Sequence, residues 1–232
     1  TVGPPDIAFR KGKPFISRFF TGLTRPKPIP GDVIAGEIVE VGNKVTRFQV
    51  GDVVYGSSGD NFGANAQYVC VSEEGAIAKK PSNVSFAEAA GVSDGGLTAL
   101  PFLRDNAELQ EGQKVLINGA SGSVGTFGVQ FAKHFGAEVT GVCSTSNMDL
   151  VSSLGADKVV DYTRESFLDL NEKYDVVFDA VGKSSYSKCK RILNEGGIYL
   201  TTVPSLGIMF QMIRTSLFGK KKAVFAATGL RK

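Results

Sequence analysis

Histidine is nearly missing from this chain and cysteine is sparse: the 232 residues hold one histidine, His134, and three cysteines, Cys70, Cys143 and Cys189. The cysteines are odd in number, widely separated and never at CxxC spacing, which excludes a disulfide framework and a zinc ribbon. They are expected to be small buried hydrophobes. His134 stands at the expected end of a helix, shortly before Gly136, where a cation suits the negative end of the dipole; its role is read as structural rather than catalytic. A charge of one sign is also missing. Twenty-six basic and 23 acidic residues leave +3, too mild and too mixed a balance for a nucleic-acid partner. No apolar run approaches the roughly 20 residues that span a bilayer, and the opening TVGPPDIAFRKGKPF lacks the apolar core of a signal peptide. A soluble, cytoplasmic protein is expected.

What is present, 42% hydrophobic residues in a chain of this length, suffices for a real core. From Gly31 to about Pro81, runs such as VIAGEIVEVGNKV and GDVVYG mix Val and Ile with Gly36, Gly42, Gly51 and Gly56, the pattern of short bent strands. Ser85 and Glu88 form a capping box ahead of a short helix. From Leu97 the pattern changes to helical stretches alternating with six β-branched runs: KVLING, EVTGVC, KVVDY, DVVFDAVG, GIYLTTV and KAVFAAT. That alternation predicts an α/β doubly wound (Rossmann) parallel sheet of six strands with helices on both faces. The break between the two patterns falls near residues 82–95, giving expected domains of 1–90 and 91–232.

The stretch KVLINGASGSVG, Lys114 to Gly125, runs from an apolar strand into a turn almost devoid of side chains. In the doubly wound plan this turn lies under the dinucleotide, and its small residues let a pyrophosphate touch backbone N–H groups at a helix start. Gly119, Gly122 and Gly125 follow a strand and open the helix SVGTFGVQFAKHFG, the context that makes the motif credible. An NAD-preferring site would carry Asp or Glu at the end of the second strand. This chain reads VCSTSNMD there, so Ser144, Thr145, Ser146 and Asn147 offer neutral donors to a 2′-phosphate and the loop holds no acid beside them. NADPH is the expected cofactor. The loop also lacks Arg or Lys, which leaves Lys158 or Arg164 as candidates for the counter-charge. The same Ser/Thr cluster could serve as a helix N-cap.

Together these segments resemble the medium-chain dehydrogenase/reductase superfamily, in particular its zinc-independent quinone oxidoreductase branch. The resemblance is carried by GDVIAGEIVEVGNKVTRFQVGDVVYG, GLTAL, NGASGSVGTFGVQFAKHFGAEV, LGADKVVDY, DVVFDAVG and LNEGGIYL. It implies that Ser121, Gly122, Ser123 and Val124 hold the pyrophosphate, that Ser144, Thr145 and Tyr162 surround the adenosine phosphate, and that Thr98 and Val181 lie on the nicotinamide side. It further implies that residues 1–90 form a GroES-like catalytic domain, incomplete because family members begin before Thr1 and return after the nucleotide domain. A homodimer joined through the nucleotide domains is implied too.

Zinc-dependent relatives place a His-Glu pair where this chain has Asp32 and Val33, and they carry a four-cysteine lobe. Neither is here, so no Cys/His zinc site is expected. Without a metal to lower the hydroxyl pKa, alcohol oxidation is disfavoured. Acceptors that are already electrophilic, quinones and α,β-unsaturated carbonyls, are the expected substrates of hydride from NADPH. The resemblance offers no proton donor: relatives often have an Asn and a Tyr where Gly3 and Ala8 align, and Asp94, Thr98 and Tyr55 are only polar candidates. Two other functions stay open, a carbonyl or alcohol dehydrogenase and a low-turnover NADPH-binding sensor. The segment Ser205 to Lys222 has apolar residues at helical spacing and three terminal lysines. It suits an anionic membrane surface, but packing as a roof over the substrate cleft is preferred, so no membrane contact is expected.

Overall fold

The computed structural model describes residues 2–12 and 29–226, and the chain divides between Asp94 and Gly95 into two compact units. The first unit holds a short helix α1 (Pro4–Lys11) and an antiparallel sheet in the order β1 (Val33–Glu37), β2 (Val53–Ser57), β3 (Ile77–Lys79). Its small core is built from Phe48, Val54 and Ile77, with Ile34, Ile38, Val45 and Val71 packed around them. The capping box forms as its spacing predicts: Ser85 N–H donates to Glu88 Oε2 at 2.7 Å, and Glu88 N–H to Ser85 Oγ at 3.2 Å. It starts α2 (Phe86–Gly91).

The second unit opens with α3 (Leu97–Pro101) between two π-helical turns. It then lays down β4 (Lys114–Asn118), α4 (Ser123–His134), β5 (Glu138–Cys143), α5 (Met148–Ser153) and β6 (Lys158–Asp161). After these come β7 (Tyr174–Asp179), α6 (Tyr186–Cys189), β8 (Leu193–Thr201), α7 (Leu206–Phe218) and β9 (Lys222–Phe225). Each of the six apolar runs supplies one strand of a parallel sheet in the order β6-β5-β4-β7-β8-β9. The last two residues of KAVFAAT, Ala227 and Thr228, lie outside the described residues.

Both faces of this sheet are covered, which is why its central strands read as unbroken apolar runs rather than as alternations. In β4, Val115 and Ile117 enter one cluster with Val129, Val139 and Phe178, while Leu116 enters the opposite one with Val142, Val177 and Tyr199. Phe102 stacks on Phe178 with ring centroids 5.2 Å apart. His134 is the exposed last residue of α4, consistent with its expected place at a helix end. Cys143 and Cys189 are buried, and burial pushes the Cys189 thiol up to about 11. Cys70 departs from the expectation: it is exposed, because the stretch between β2 and β3 that carries it is irregular rather than a core strand.

Candidate dinucleotide site

The strand order reverses between β4 and β7, and in open parallel sheets the crevice beyond the C-terminal strand ends at such a point is where ligands bind. β4 ends at Asn118, and Gly119 turns the chain at φ +86°. A Cβ on Gly119 would lie 2.4 Å from Val181 Cγ1, and one on Gly125 would lie 2.0 Å from the Gly119 carbonyl oxygen. These two glycines are therefore demanded by the chain packing on itself. Gly122 differs: it is exposed, and among the described residues the one atom near a Cβ there would be the Gly119 oxygen at 3.4 Å. It is the N-cap of α4 and supplies no side-chain acceptor. The turn thus presents the bare start of a 12-residue helix, with its positive dipole end, between half-buried Ser121 and Val124. An anionic diphosphate fits this chemistry.

On the β5 side, the Ser/Thr cluster forms a single 3-10 turn, Thr145–Asn147. No side chain in it caps that turn or α5, so the N-cap reading is not met. Asn147 Nδ2 instead donates to Ser144 Oγ at 3.0 Å, and Ser144 and Ser146 hydroxyls lie 3.2 Å apart. Thr145 Oγ1 donates to Asp161, the last residue of β6. Asp161 also accepts from Thr163 N–H at 2.9 Å and Thr163 Oγ1 at 2.7 Å, and Arg164 Nε lies 3.4 Å away. The Thr145 hydroxyl, then that of Thr163, hold the Asp161 carboxyl below its usual range. The reading of the β5 loop alone missed this acid, since the parallel pairing Cys143↔Asp161 brings it from the next strand. Exposed Tyr162 follows it directly. Of the two candidate counter-charges, Arg164 lies at this end of the sheet. Lys158 does not: it begins β6, at the opposite end, and pairs with Glu172 at 2.7 Å.

On the β7 side a buried network joins three strand ends. Asp179 Oδ1 accepts from Asn118 Nδ2 at 2.9 Å, and its Oδ2 accepts from the Tyr199 hydroxyl at 3.0 Å and Ser184 N–H at 2.7 Å. Burial, and after it the Asp179 charge, keeps the Tyr199 hydroxyl protonated far above the ordinary tyrosine range. Asn118 and Asp179 each stand immediately before a glycine-bearing loop, a signal available in the sequence that motif reading passed over. Val181 is 42% exposed above Gly119. Thr98 is half-buried in α3; the preceding Gly95 packs against the Ser123 carbonyl and Phe127 so closely that a Cβ would approach both at 2.5 Å, which brings this segment to the start of α4. A cavity of about 170 Å³ lies beside these loops, lined by Gly182, Ser184, Thr201, Val203 and, from α7, Gly207 and Gln211.

In the first unit, Tyr55 lies in β2 opposite Ala35, and Asp94 in the π-helical turn after α2. Asp32 was not among the proton-donor candidates, yet burial and then the charge of Asp94 push its carboxyl upward. Gly3 precedes α1, its N–H donating to Asp6 Oδ2 at 2.8 Å. Among the described residues no three His, Cys, Asp or Glu side chains converge on a point that could hold a metal ion. The donor set does not fit zinc.

Residues 1–82 match the alcohol dehydrogenase GroES-like domain family, and residues 123–221 match the family described as zinc-binding dehydrogenase. Among curated proteins, the chain is 38% identical over 212 residues to the NADPH-dependent alkenal/one oxidoreductase, chloroplastic, of Arabidopsis thaliana, covering 84% of this chain and 51% of that protein. It is 34% identical over 236 residues to the chloroplast envelope quinone oxidoreductase homolog of the same plant, covering 97% and 70%. A solved quinone oxidoreductase from Coxiella burnetii superposes with a TM-score of 0.88 at 29% identity, covering all of this chain and 72% of that one. The chain belongs to the medium-chain dehydrogenase/reductase superfamily, in its quinone oxidoreductase-like branch. It spans about half the length of that alkenal/one oxidoreductase and of the 2-methylene-furan-3-one reductase of Solanum lycopersicum.

Proposed function

We propose that the chain belongs to an NADPH-dependent oxidoreductase that reduces quinones or α,β-unsaturated carbonyls without a metal. The observation that carries this reading is the uncapped start of α4 at the point of strand reversal, with hydroxyl donors rather than an acid on the β5 loop. Ser121, Gly122, Ser123 and Val124 would hold the pyrophosphate. Ser144, Thr145 and Tyr162 would surround the adenosine phosphate, with Arg164 supplying positive charge, while Thr98 and Val181 would border the nicotinamide. Asp161 is no obstacle to a 2′-phosphate: it is buried, and Thr145, Thr163 and Arg164 occupy its oxygens. The cofactor supplies the hydride; these residues bind and orient it. Residues 1–90 are taken as the catalytic domain, 91–232 as the nucleotide domain, and a cytoplasmic homodimer as the working form.

The relatives' names, an NADPH-dependent alkenal/one oxidoreductase and a quinone oxidoreductase homolog, support the substrate class. The test is a rate survey of full-length, chelator-treated protein with NADPH and NADH against enones, quinones, aldehydes and alcohols. NADPH oxidation by enones or quinones is expected. A requirement for added zinc, or turnover confined to alcohols, overturns the reading. Light scattering of the same preparation checks the dimer.

A further inference from the structure

Helix α7 has two apolar stripes where a surface helix has one. At 3.6 residues per turn, Ile208, Met212 and Thr215 fall on the side packed against the sheet. Leu206, Met209, Phe210, Ile213 and Leu217 fall opposite, and every one is exposed, Leu206 at 87% and Leu217 at 67%. Phe218 ends the helix at 86% exposure. The inner stripe packs as the apolar spacing predicts; the outer one has no counterpart in a simple core-packing role. An exposed stripe of this kind marks a docking surface.

Charge around this stripe is one-sided. From Lys183 to Lys222 the sequence has eight basic residues and one acidic residue, Glu195, a net of +7 in a chain whose total is +3. The fold gathers part of this excess at the end of α7: Lys190, Arg214, Lys220 and Lys221, with Glu195 as the one acid among them, line one cavity of about 260 Å³ beside Phe218. The Lys221 ammonium donates to the carbonyls of Lys190, at 3.1 Å, and Leu193, at 2.6 Å, which ties this basic corner to the start of β8.

We propose that α7 docks on an anionic phospholipid surface, lying in the membrane plane with its Leu206 to Leu217 stripe in the acyl boundary and its basic end on headgroup phosphates. A helix of 13 residues, about 20 Å long, is far too short to span a bilayer but suited to this interfacial position. Electrostatics favours lipid over a second copy of the chain. A two-fold contact through this stripe would set the same patch against itself and press two strongly positive surfaces together. An anionic bilayer supplies the opposite charge, with about a fivefold gain in binding per basic residue near its surface.

The test is co-sedimentation of the full-length chain with vesicles of phosphatidylcholine alone and of equal parts phosphatidylcholine and phosphatidylglycerol. Pelleting with the mixed vesicles and none with phosphatidylcholine alone is expected. K190Q/K220Q should weaken binding about 25-fold, and F210D/I213D should abolish it, with thermal midpoint and NADPH binding of both variants like those of the parent. No pelleting with the mixed vesicles overturns the proposal, as does equal pelleting of F210D/I213D. A dimer that F210D/I213D breaks, with no vesicle binding by the parent, overturns it in favour of a second copy.

Discussion

The two sides of the strand reversal are held together by different means. On the β4, β7 and β8 side, loops are stacked through backbone: Gly119 sits beneath Val181, and Gly182, at φ +63°, sits beneath Val203, where a Cβ would approach the valine at 2.5 Å. Below them Asn118, Asp179 and Tyr199 form a closed buried network. On the β5 and β6 side the loops meet through hydroxyls, with Thr145 and Thr163 on Asp161 and with half-buried Ser144 and exposed Ser146 and Tyr162 around them. The first arrangement leaves no freedom for a side chain and fixes where the start of α4 lies. The second leaves the side chains of Ser146 and Tyr162 at the surface. Backbone packing fixes one side, and side-chain hydroxyls join the other.

The sharpest way to break this contrast is on the backbone side. Gly125→Ala places a Cβ 2.0 Å from the Gly119 oxygen; a backbone clash of that depth should cost about 3 kcal/mol or more and abolish NADPH binding, checked by urea unfolding and calorimetry. Asp179→Asn follows. It turns an amide N–H₂ toward donors that now point at a carboxylate, and should lower stability by about 2–3 kcal/mol. Tyr199→Phe should lose about 1 kcal/mol, the worth of one hydrogen bond.

On the hydroxyl side the effects should be smaller and fall on acid sensitivity. Thr145→Val takes from the Asp161 carboxylate the donor of its hydrogen bond and should lower the thermal midpoint at neutral pH, though by less than Asp179→Asn does. The Asp161 carboxyl is lowered by Thr145 and Thr163, so its stabilisation is present above the unfolded value of about 4 and is lost as pH falls through the lower folded value. Removing the Thr145 donor raises that folded value, and acid unfolding followed by circular dichroism should begin at higher pH. Lys158→Ala should have the smallest effect. Its ion pair with Glu172 is exposed, worth about 0.5 kcal/mol or less, and unchanged NADPH affinity would agree with its position at the far end of β6. A clear loss of NADPH affinity would restore it as the phosphate's counter-charge.

How much was legible varied with the kind of contact involved. The six strands, the capping box at Ser85 and the helix end at His134 rest on periodicity and local hydrogen bonding, which a chain displays in order. The glycine turn was legible as a turn, but the division of labour among its glycines was not, since Val181, which demands Gly119, lies 62 residues further on. Asp161 and Lys158 show the same limit: they end and begin the strand KVVD, and only the direction of that strand in the sheet separates the residue beside the Thr145–Asn147 turn from the one at the opposite end. The apolar spacing of Ser205 to Lys222 predicts a helix; that its outer stripe faces solvent could not be read without knowing which side the sheet covers.

By itself the sequence determined the doubly wound plan, the glycine turn and the family, because apolar period, helix caps and glycine spacing act between neighbours along the chain. Tertiary structure decided which polar groups meet: Asp161 with Thr145, Asp179 with Asn118 and Tyr199, and the basic side chains at the end of α7. Those encounters depend on strand order and direction, and a parallel sheet brings together residues whose separation along the chain says nothing of their distance in space.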